Sequence, residues 1–174
     1  PHDRLAAMLH LGRAIGDAPA SRFPAGRLAA IALDSALALP ADQKLTHAAL
    51  RALARAAEDA PEQVDLIEAI AALTLRLGDP DGAESHVRRA IECDPDRARL
   101  YALLGEIARA RGDLPSALSS VEEGLVKHPS DPLLGTEKGV VLAEQGHLEE
   151  ARRAWKSVLG KSLHPPAFAN LASV

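Results

Sequence analysis

Residues 64–94 read VDLIEAIAALTLRLGDPDGAESHVRRAIECD. Ile67, Ile70, Leu73 and Leu77 recur at intervals of three and four, which gathers them along one side of a helix. Ala83, Val87, Ala90 and Ile91 make a second stripe of the same kind. Between the stripes lies Gly78-Asp79-Pro80: Asp79 can accept the open amides of the following helix, and Pro80 fits its first turn, where a missing N–H costs nothing. Two helices joined by so short a turn must pack antiparallel. The stretch therefore spells a helical hairpin.

The hairpin recurs along the chain. Pro61, Pro95 and Pro129 stand 34 residues apart, as do Gly78, Gly112 and Gly146. The turn returns as Gly112-Asp113-Leu114-Pro115 and, less strictly, as Gly146-His147-Leu148; Asp94-Pro95 and Ser130-Asp131-Pro132 mark the breaks between hairpins. Small residues repeat at Ala71, Gly105 and Gly139 and again at Ala49, Ala83, Ala117 and Ala151, while Leu53, Val87, Val121 and Trp155 hold a larger position. A glycine inside a helix costs roughly 1 kcal/mol against alanine. Gly105 and Gly139 therefore predict close crossings where a Cβ would collide, with the larger residues filling the gap toward the adjoining hairpin.

The rest of the composition agrees. The 174 residues include 35 Ala and 27 Leu but only four aromatics, Phe23, Tyr101, Trp155 and Phe168, a balance that favours helix over strand. Apolar runs are broken by charge well short of the ~20 residues of a membrane span. The net charge of -4 argues against a protein that grips a nucleic-acid backbone. A single cysteine, Cys93, allows no internal disulfide and no cysteine metal cluster. No basic and apolar leader opens the sequence, yet a trimmed chain would look the same, so cytoplasm and periplasm are equal expectations.

In Tyr101, Leu104-Gly105, Ala117, Val121 and Pro129, with the parallel sets from Ile67 to Pro95 and from Gly135 to Trp155, the chain resembles the tetratricopeptide repeat family. The resemblance covers Val64 to Val174. It implies an all-α fold, an antiparallel helix-hairpin solenoid wound as a right-handed superhelix of about ten helices, in a single helical-repeat domain. Repeats are expected at 64–97, 98–131 and 132–164, with 165–174 opening a further repeat or forming a capping helix. The third repeat departs from the pattern, because Gly135 stands where a large anchor belongs and Lys138 where a Leu does. Residues 1–63 are expected to hold about three helices, a degenerate repeat or packing of the HEAT type: one over Arg4 to Ile15, one ended by Pro40, and one carrying Ala49, Leu53 and Ala56.

Reactive chemistry is sparse. The seven histidines form no pair spaced to place two ligands on one helical face, and His86 with Cys93 makes two ligands at most. Asp79-Pro80-Asp81-Gly82 echoes the start of a calcium loop without its later ligands, so a capped turn is the expected role. Nucleophile-elbow, P-loop and dinucleotide fingerprints are missing. No catalysis, metal or cofactor is expected.

The family resemblance implies instead a groove lined by the first helix of each hairpin. Carried over, its positions are Asp65, Glu68, Ala72 and Arg76; Arg99, Ala102, Glu106 and Arg109; and Leu133, Glu137, Val140 and Glu144. Arg76, Arg99 and Arg109 stand out as candidate partner contacts, since guanidinium groups fork onto acceptors and lie on apolar surface. A clamp for a C-terminal carboxylate is not expected with Glu68, Ala72, Leu103 and Glu137 at the places that would need cations. The expected role is a non-catalytic scaffold that binds a protein or peptide. Two alternatives are the repeat arm of a larger enzyme of the glycosyltransferase, sulfotransferase or multi-haem cytochrome type, and self-association through an open edge at Phe168 and Leu171.

Overall fold

The computed structural model describes residues 43–59, 61–161 and 163–173. Among them are eight helices and no strand: α1 Gln43–Asp59, α2 Val64–Arg76, α3 Pro80–Cys93, α4 Ala98–Ala110, α5 Leu114–Lys127, α6 Pro132–Glu144, α7 Leu148–Leu159 and α8 Pro165–Ala172. The two further helices expected before Gln43 lie outside the described residues. α2 packs with α3, α4 with α5, and α6 with α7, so each pair is one hairpin.

One device makes all three turns. Gly78, Gly112 and Gly146 take φ of 85°, 77° and 84°, a left-handed conformation that a glycine adopts without a Cβ penalty. The Asp79 carboxylate then accepts the Gly82 amide at 2.9 Å, and Asp113 accepts that of Ser116 at 3.1 Å. The stretch that echoed a calcium loop is thus a capped turn. The third turn keeps the glycine, but His147 makes no side-chain cap.

Contacts divide the chain into two compact units, the first ending at Asp94 and the second beginning at Pro95. In the first, Leu53 and Ala56 of α1 close onto Leu66, Ala69, Ile70 and Leu73 of α2. Ala71 of α2 and Ala83, Val87 and Ala90 of α3 are buried completely. The second unit holds α4 to α8. Its far end is a cluster of Leu142, Ala151, Trp155, Val158 and Ala167, the last being the one buried residue of α8.

The helical glycines are close crossings, as their cost demanded. A Cβ on Gly105 would come within 2.6 Å of Val121 Cγ2 and 3.6 Å of the Ala117 carbonyl oxygen, and one on Gly139 would run into the Trp155 indole. Val121 and Trp155 were expected to fill the gap toward the adjoining hairpin. They pack instead into the glycine of their own hairpin, because the missing Cβ opens its space on the side of the partner helix.

Candidate functional site

The expected groove residues fall in both units. In the first, Asp65 sits exposed in the first turn of α2 and Arg76 half-buried in its last, each matched to the helix dipole. Glu68 lies between them and is buried at 6% exposure. In the second unit Ala102 is buried at 1%, so it lines no open surface. Arg99 is exposed in the first turn of α4.

Four of the expected residues come together. Glu106 and Arg109 on α4 and Glu137 and Glu144 on α6, with Ala110, line an open depression of about 330 Å³. Positions 106 and 109 share a face of α4, and 137 and 144 are two turns apart on α6. Arg109 spans the gap. Its Nη2 and Nε donate to the two oxygens of Glu144 at 2.6 and 3.0 Å, and its Nη1 donates to Glu137 Oε1 at 2.7 Å. One planar fork thus binds two carboxylates and ties α4 to α6.

The electrostatics follow from this geometry. Burial pushes the Glu137 carboxyl above its ordinary range, a rise that Arg109 reduces. Glu106 is exposed, yet crowding by its neighbours partly desolvates its carboxyl and pushes it up, the Glu137 charge adds to the rise, and Arg99 and Arg109 oppose it. Glu144 is held low by its bond to Arg109. Arg109, expected to reach a partner, is committed within the protein, and Glu144 with Glu137 hold its proton more firmly than in free arginine. Three carboxylates face one guanidinium.

The resemblance named these four positions; the clasp between them it did not name. A signal existed in the spacing, since Arg109 lies 35 residues before Glu144, one more than the repeat length, and 28 before Glu137, two turns earlier on the same helix. Among the described residues no group of three His, Cys, Asp or Glu is placed to hold a metal ion, and no helix is long and apolar enough to cross a membrane.

A family model for the tetratricopeptide repeat matches residues 68–132, from α2 to the start of α6. Residues 68–132 carry tetratricopeptide repeats. Solved tetratricopeptide structures share the fold: TTC0263, a thermophilic protein of this kind from Thermus thermophilus, superposes with a TM-score of 0.73 at 20% identity, covering 86% of this chain and 80% of that one. The Cut9-Hcn1 hetero-tetramer of the APC/C matches with a TM-score of 0.74 at 18% identity, over 97% of this chain and 32% of that one. In sequence, 115 residues are 31% identical to the probable biofilm formation methyltransferase WspC of Pseudomonas putida. That match takes in 66% of this tetratricopeptide chain but only 27% of the relative's length.

Proposed function

We propose that this tetratricopeptide chain is a non-catalytic scaffold whose α4–α6 face holds a basic segment of a partner protein. The depression of about 330 Å³, lined by three carboxylates and an arginine already satisfied within it, carries the reading. A partner cation arriving there meets an excess of negative charge, and it meets carboxylates whose positions Arg109 has fixed beforehand. An acidic segment would meet repulsion instead. Titration calorimetry with a lysine-rich peptide and its glutamate-rich counterpart tests this. The lysine peptide is expected to bind, to weaken with added salt, and to lose affinity several-fold in Glu106→Gln/Glu144→Gln; equal binding of the two peptides would sink the reading.

A second reading is that the repeats form an arm of a longer enzyme. The observation in its favour is the match to about a quarter of a probable methyltransferase. It changes the enzyme class from those the sequence suggested. Antibody detection of the natural polypeptide in its source cells decides it: a species far heavier than 18.3 kDa supports an arm, and one of that mass removes it.

A further inference from the structure

Tyr101 fills the first anchor of its repeat. It is buried at 1% exposure, its hydroxyl donates to the Pro95 carbonyl at 2.8 Å, and Lys127 Nζ lies 4.8 Å from the ring centroid while donating to the same carbonyl at 2.9 Å. Gly124 makes room, since a Cβ there would sit 2.7 Å from that of Tyr101. Every one of these positions recurs 34 residues later: Pro129 for Pro95, Lys161 for Lys127, Gly135 for Tyr101 and Val158 for Gly124. The large and the small residue have changed places. A Cβ on Gly135 would lie 2.5 Å from Val158 Cγ2, so the valine has moved into the space above the glycine.

The exchange does not conserve volume. An isopropyl group replaces a phenol, and Lys138 stands where Leu104 packed. What remains is a half-open cleft of about 140 Å³, with Leu125, Ala154 and Val158 in its apolar lining and Asp131, Lys138 and Lys161 in its polar lining.

We propose that this cleft receives the ring of a tyrosine carried by a partner polypeptide, in the manner in which the preceding repeat holds Tyr101. The Pro129 carbonyl is the acceptor for the incoming hydroxyl, and Lys161 supplies the cation over the ring. Among the described residues Lys161 makes a long contact, 3.4 Å, to Ser130 Oγ, and Lys138 is engaged by Glu122 at 2.7 Å. The proposal rests on the scaffold reading only in that the ring arrives on a protein. The cleft shares no lining residue with the acidic depression.

Methyl NMR of the whole chain tests it, with p-cresol as the probe. Saturable shifts at Leu125 and Val158 are expected, with toluene weaker because it offers no hydroxyl. Acetyl-Gly-Tyr-Gly-amide is expected to shift the same methyls, and its Ala counterpart to leave them in place. Gly135→Tyr/Val158→Gly restores the arrangement of the second repeat and should raise Tm while abolishing the p-cresol shifts. Ala154→Leu, which fills the cleft without touching either exchanged residue, should abolish them too. Absence of shifts at millimolar p-cresol, shifts that survive Ala154→Leu, or a tyrosine peptide no better than its alanine form would each overturn the proposal; binding of the lysine peptide would be unaffected by any of these results.

Discussion

Arg109 is where a single side chain matters most. Replacing it by Ala leaves Glu137, 8% exposed, without its cation, and a buried acceptor stripped of its partner costs on the order of 2 kcal/mol. Urea denaturation should show that loss, with much of it recovered when Glu137→Gln is added. Glu106 works in the opposite direction. Its pKa and that of Glu137 are raised by folding, so the folded chain holds protons that the unfolded chain has released, and their ionisation opposes folding at neutral pH. Glu106→Gln is expected to gain about 0.5 kcal/mol at pH 7, a modest figure for a side chain in solvent. Its advantage should vanish as the pH falls below the ordinary carboxylate range, where the wild-type group is protonated in both states. Glu144, depressed by Arg109, contributes stability above the ordinary carboxylate range that is lost as the pH drops through its folded value. Stability curves of wild type, Glu106→Gln and Glu144→Gln between pH 2 and pH 7 test the two signs separately.

At the level of helices and turns, steric fit and end-capping set the stability. Gly105→Leu should cost ~1–3 kcal/mol by overpacking, since Val121 stands where the new Cβ must go; an unchanged melting temperature would refute the close crossing. Asp131→Ala removes the carboxylate that accepts the Leu134 amide at 2.9 Å, a loss of about 1 kcal/mol. The first effect was visible in the sequence, because a helical glycine carries its reason with it; Ser130-Asp131-Pro132 was legible only as a break between hairpins. The hairpins, their turns and the small-residue crossings follow from the 34-residue rhythm. The direction in which Val121 and Trp155 point does not, because periodicity places a residue on a face without saying which of two neighbours that face meets. The clasp was hidden similarly: Glu137 and Arg109 look like two solvated helix charges until α4 and α6 are seen to lie side by side.

For the molecule as a whole, the repeat plan makes stability a sum of neighbouring contacts rather than the property of one central core. Deleting α8 uncovers the side of Trp155 and Leu142 that Ala167 and Leu171 now cover. Faster amide exchange is expected in α6 and α7, with α2 and α3 unchanged, and exchange spreading into α2 would contradict additivity. Phe168, 67% exposed, should by contrast accept Ser with a change in Tm near zero.

The swap of Tyr101 and Gly124 for Gly135 and Val158 also bears on how such a gene can be rearranged. A recombination that moved the later second helix behind the earlier first one would set a valine against a tyrosine in room made for one of them. Crossovers that carry both members of a pair together leave every lock with its own key. A lone helix traded on its own would break that match.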